Sequence, residues 1–215
     1  MKLPKTLISD NKGRIIDLPY FQPAAMIANR YVPIRQSDII PLPFSSRILF
    51  LPRCSPVVLD PGNGRFIELD KNPYSGKPCC AVSAFIVPGY TITHNAGFRS
   101  GIKAGQLPLY AYAPALWFKE KFYTAAVRVD RDRRQDPRLI NDKSLKQNIN
   151  NLQIMFNKNR LVKHLCRCAS LYCCPAAQNF FLERYECPLP VARLCNANCL
   201  GCISLQPSGC CPATQ

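Results

Sequence analysis

The chain has 215 residues, enough for one large domain or two small ones with a buried core. With 47% hydrophobic and 10% aromatic residues it is no disordered tail, despite 20 prolines. Its 28 Lys and Arg against 13 Asp and Glu give a formal charge of +15, which admits a polyanionic partner but specifies none.

The longest apolar run, residues 79–87, is interrupted by Ser83 and is too short to span a bilayer, so no membrane partner is expected. The first ten residues hold no apolar stretch of leader length, which points to a cytoplasmic, thiol-reducing location.

Residues 1–130 read as a proline-rich, β-rich N-terminal domain. Apolar or β-branched runs recur at 38–41, 47–51, 56–59, 66–69, 81–87 and 90–93. Turn signals such as Asp60-Pro-Gly-Asn-Gly64 and Asn72-Pro-Tyr-Ser-Gly76 separate them. Further strands are expected at 109–118, interrupted by Pro114, and at 122–129. Prolines in or beside so many runs favour short edge strands and irregular coil over a regular barrel. His94, beside Asn95 and Gly97, reads as a turn residue.

The polar, charge-dense stretch 130–138 marks a boundary. Residues 131–187 then read as a helical hairpin and connector. Asn141 or Asp142 caps a helix that carries Leu145, Ile149, Leu152 and Phe156 at helical spacing. Asn157 to Asn159 break it. A second helix, 160–173, sets Leu161, Leu165, Cys168 and Tyr172 on one face and ends before Pro175. Residues 188–194 suit a strand leading into a cysteine-rich segment.

Thirteen cysteines are distributed unevenly: Cys54, Cys79 and Cys80 come early, none lies between Cys80 and Cys166, and ten fall from Cys166 to Cys211. The clustering and the odd total favour a local metal site over a disulfide framework. Cys195, Cys199 and Cys202 are the prime ligands. Three thiolates on one short loop can hold three irons of a cubane cluster and leave the fourth open to a substrate or cofactor.

Cys195-Asn-Ala-Asn-Cys199-Leu-Gly-Cys202 resembles the signature of the radical S-adenosylmethionine enzymes. Residues 194–206 resemble an uncharacterised branch of that family with a long β-rich extension, to which 175–182 is also similar. The resemblance implies a [4Fe–4S] cluster on the loop after the first strand of a partial α/β barrel. It implies too that the unique iron chelates S-adenosylmethionine and that one-electron reduction yields a 5′-deoxyadenosyl radical. Gly201 stands where the family usually has an aromatic residue.

The expected fold is therefore α+β: the β-rich domain, the hairpin, and in 188–215 the first strand and cluster loop of an incomplete barrel. Lacking the later strands, the chain is expected to be a truncated N-terminal part, inactive alone. Its missing barrel would be supplied by a longer or separate chain that reads an unknown substrate.

Two other classes remain. A zinc-stabilised, non-enzymatic binding module would use the same three cysteines completed by Cys187, Cys210 or Cys211; in the cluster reading Cys210 and Cys211 have no direct role. A basic RNA-binding domain would use the patches 119–134 and 158–167, with Lys163 and Arg167 four apart on a helix. In the first patch Arg131, Arg133 and Arg134 are interleaved with Asp130, Asp132 and Asp136. His164 and Cys168, also four apart, have metal-ligand spacing but read as packing residues, with Cys166, Cys173 and Cys174 beside them. Cys79 and Cys80 read as core.

Overall fold

The computed structural model describes residues 3–101, 112–171 and 173–187. The fold is α+β. The chain divides into two compact units, Met1–Ile86 with Tyr90–Val129, and Val87–Gly89 with Asp130–Gln215.

The first unit is antiparallel at every strand pair among the described residues. Its centre is the strand Cys80–Phe85, all six residues of which are buried. Arg47–Leu51 pairs along one edge, at Leu49↔Ser83. Lys5–Ser9 and Ala113–Phe118 share the other, at Ile8↔Ala81 and Ala113↔Ala84. Ile15–Leu18, Lys121–Thr124 and Ile40–Pro41 extend this sheet to seven strands. A six-stranded sheet is built on Gln22–Ile27 and Cys54–Asp60, paired at Pro23↔Val58. Tyr90–Ile92 and Ala126–Arg128 form a separate ribbon.

Small side chains line the seam between the two larger sheets. Leu7, Ala24, Val57, Ala81, Ala96 and Ala115 border a void of about 20 Å³, room for roughly one water. Gly97 sits at the tightest point: a Cβ there would lie 2.7 Å from the Ala24 carbonyl oxygen. A second glycine is fixed by its turn. Gly13 has φ +82 and would place a Cβ 2.9 Å from the Phe50 ring. Asp10 ties that turn, accepting from the Lys12 and Arg14 N–H groups while its other oxygen meets Arg14 Nε at 2.7 Å.

The prolines divide: Pro33 and Pro41 lie on short edge strands, as expected, whereas three others do not. Pro23, Pro56 and Pro114 belong to internal strands, paired with Val58, Phe98 and Ser83. Each falls in the first three residues of its strand. At Pro56 and Pro114 the ladder is also changing partners. A missing N–H is tolerated at such places, so these prolines do not mark edges.

The second unit contains α1 (Asp142–Met155), α2 (Arg160–Ser170) and α3 (Pro175–Phe181). Asn141 caps α1 by accepting from Ser144 N–H, and Asn159 caps α2 by accepting from Leu161 and Val162 N–H. Leu145, Val162, Leu165, Cys166, Ala169, Ala177 and Phe181 form the core. The buried face of α2 is thus rotated from the expected one: Val162, Cys166 and Ala169 join Leu165, while Leu161 and Cys168 are only half-buried and Tyr172 lies outside the described residues. Phe156 leaves the α1 stripe and is exposed.

Pro175 does not end α2, which stops at Ser170 rather than at the expected Cys173. It occupies the first turn of α3, where its fixed φ suits a helix start. Charge-dense 130–138 is ordered as two 3-10 turns, capped by Asp132 and Asp136 accepting from Arg134 and Arg138 N–H. Fully buried Asn179 fastens this segment: its Nδ2 donates to the Arg134 carbonyl and Glu186 Oε1, and its Oδ1 accepts from Arg184 Nε.

Gly97→Ala is expected to destabilise the first unit by about 2 kcal/mol, because the added carbon must push backbone rather than a flexible side chain. Denaturant unfolding read by Trp117, the chain's one tryptophan, measures it.

Candidate metal centre

Cys195, Cys199 and Cys202 lie outside the described residues, as do Cys210 and Cys211. The described residues define the helices that precede them in the chain and the remaining thiols. Those thiols fall into three environments.

Cys54, Cys79 and Cys80 are buried in the first unit, and Cys166 in the second. Cys79 Sγ donates to the Leu69 carbonyl at 3.4 Å, and Cys80 Sγ to Asn11 Oδ1 at 3.6 Å. Burial, with smaller contributions from Cys80 and Asp70, pushes the Cys79 thiol up to about 11. Burial likewise raises Cys54 and Cys166. A thiol whose burial favours the protonated form is a poor ligand, which applies to Cys54, Cys79 and Cys166, and all four buried cysteines pack as small core hydrophobes.

Cys168, Cys173 and Cys174 are half-buried at the end of α2. Helical spacing brings Cys168 Sγ within 3.4 Å of His164 Nε2. Burial, then the Arg160 and Arg167 guanidiniums, hold the His164 imidazole below its ordinary value, and its buried Nδ1 has no partner among the described residues. Past Leu171 the chain reverses: Cys173 takes φ +51 and Cys174 N–H donates to the Cys168 carbonyl at 3.0 Å, a helix-end closure usually given to glycine. His164 and Cys168 supply two donors, and no group of three or more His, Cys, Asp or Glu positioned for a metal occurs among the described residues. Cys187 is exposed at the edge of the described segment.

The first unit carries a groove that local sequence reading does not reveal. Its volume is about 840 Å³, and Asp38, Leu42, Tyr90, His94, Val127 and Arg128 are among its walls. His94 Nδ1 lies 3.0 Å from Thr93 Oγ1, and Arg128 lies over the Tyr90 ring at 5.9 Å. The register Tyr90↔Arg128 creates this juxtaposition. Both residues were visible in the sequence, but their pairing spans 38 positions and has no local signature.

A thiol whose folded pKa exceeds its unfolded value makes stability fall as pH rises through that interval. For Cys79 the window runs from the ordinary value of 9.0 to about 11. Cys79→Ala is expected to flatten the alkaline loss of stability across that window, read by denaturant midpoints at successive pH values. In native protein at pH ~8, alkylation followed by mass spectrometry is expected to label Cys187 and spare Cys54, Cys79, Cys80 and Cys166.

No family model matches the chain, and no curated protein or solved structure matches it.

Proposed function

We propose that this chain is the N-terminal part of an iron–sulfur protein of the radical S-adenosylmethionine type, with Cys195, Cys199 and Cys202 each ligating one iron of a [4Fe–4S] cluster. The observation that carries the proposal is the thiol spacing of three and two within residues 194–206. The donor chemistry fits such a group: no Asp, Glu or His occurs after Glu186, so the ionisable donors of this segment are soft thiols. Burial of Cys54, Cys79, Cys80 and Cys166 removes four competitors.

When bound, the cluster supplies the electron for reductive cleavage of S-adenosylmethionine. The chain's own residues hold the three irons and, through the first unit, recognise substrate or partner. The groove beside Tyr90, His94 and Arg128 is the candidate recognition surface. Reading 188–215 as the first strand and cluster loop of a barrel belongs to the same proposal.

Anaerobic reconstitution with iron, sulfide and zinc analysis tests it. About four irons and four sulfides per chain are expected, with a paramagnetic signal perturbed by S-adenosylmethionine. Cys199→Ala is expected to abolish cluster binding and Cys210→Ala to preserve it. Stoichiometric zinc without sulfide would overturn the proposal in favour of a structural thiolate site.

A further inference from the structure

The turn between α1 and α2 presents three adjacent apolar side chains to solvent: Ile154 is 70% exposed, Met155 69% and Phe156 45%. Met155 is the last residue of α1, and residues 156–159 lead directly to Arg160 at the start of α2. Cations follow at once. Lys158 and Arg160 flank the tip, and Arg160, Lys163 and Arg167 continue at spacings of three and four along an exposed face of α2.

No Asp or Glu occurs between Asp142 and Glu183. Asp142 stands at the far end of α1, about 20 Å along the helix from the tip. The positive field reaches inward, where Arg160 and Arg167 add to burial in disfavouring protonated His164.

We propose that the α1–α2 tip is a peripheral docking site for an anionic lipid surface. Ile154, Met155 and Phe156 enter the boundary between headgroups and acyl chains, and Lys158, Arg160 and Lys163 meet the lipid phosphates. Charge complementarity selects an anionic surface, and the apolar tip selects among anionic surfaces. A nucleic-acid backbone rewards the cations and can stack a base on Phe156, but gives Ile154 and Met155 no apolar medium. The acyl boundary accommodates all three side chains, and a protruding hairpin end needs no complementary groove. Docking of this kind requires no span, and no helix among the described residues is long and apolar enough to cross a membrane.

The test is co-sedimentation of the 215-residue chain with vesicles of phosphatidylcholine containing about 30% phosphatidylglycerol, against phosphatidylcholine alone, at about 0.1 M salt. Binding is expected to the anionic vesicles and to weaken at least about tenfold on the neutral ones. Ile154→Ser with Met155→Ser is expected to reduce binding about tenfold or more with unchanged circular dichroism, since neither side chain is packed in the core. Arg160→Gln and Lys163→Gln should each weaken it by about fivefold.

The proposal is overturned by equal binding to neutral vesicles, by no binding to either, or by a serine double variant that binds like the parent chain. It is also overturned if single-stranded polyuridylate binds while vesicles do not, or if sedimentation velocity shows a dimer lost in the serine variant without vesicle binding.

Discussion

The first unit is organised around a backbone contact: Gly97 approaches the Ala24 carbonyl so closely that a single added carbon would sit 2.7 Å from it. Gly97 directly follows the Ala96↔Ala25 pair, so this approach is between neighbouring strands of the six-stranded sheet. Where that sheet and the seven-stranded one border a common void, alanine recurs on strands of both, at Ala24, Ala81, Ala96 and Ala115. Larger apolar residues line the same void, Leu7, Val57, Val82 and Leu116 among them, while Ile8, Leu18 and Val58 form a separate cluster. Cysteine also packs as a small hydrophobe: Cys79 joins Ile8, Leu18, Val58 and Leu69, and Cys54 joins Leu51, Ala81 and Tyr112.

That placement sorts the thiols chemically. Burial disfavours a thiolate, and the thiolate is the form that binds metal or attacks an electrophile. Cys54, Cys79 and Cys166 are raised by burial before any other influence acts on them. Cys168 is a different case: its Sγ lies 3.4 Å from the His164 imidazole, which burial and then two guanidiniums hold below its ordinary value. Burial thus sets aside four of the thirteen cysteines as metal donors. The proposal for Cys195, Cys199 and Cys202 rests on thiols outside the described residues.

Legibility in the sequence followed the kind of residue being buried. Arg47–Leu51, Arg65–Glu68 and Tyr90–Ile92 carry consecutive branched or aromatic residues, and as short apolar runs their strands are directly legible. Gln22–Ile27, with Pro23, Ala24 and Ala25, has no such pattern, because its burial depends on close approach rather than on side-chain size. Lys5–Ser9 and Ile15–Leu18 carry a local signal in the Asp10 to Gly13 turn that joins them, but their apolar runs are short. In the helical unit, spacing located α1 and α2, but four-residue periodicity alone chose a face of α2 centred off the true one. Val162 and Ala169 are too small to stand out in a polar helix, yet they pack with Phe181 of α3. That third helix carried a local signal in Pro175, which was read as a stop and is a start.

The net charge of +15 resolves in the same local way. Several cations have carboxylate partners: Lys5 with Asp17, Arg14 with Asp10, Arg99 with Glu68, Arg134 with Asp130 and Arg138 with Asp136. Exposed pairs of this kind add little stability, but they shorten the range of each charge. Between Asp142 and Glu183 the sequence holds no carboxylate, and Arg160, Lys163 and Arg167 share one exposed face of α2. A uniform excess would only keep the protein soluble. An excess concentrated beside three exposed apolar side chains produces a surface that is both attractive to anions and poorly solvated, and a surface of that composition is most stable when covered.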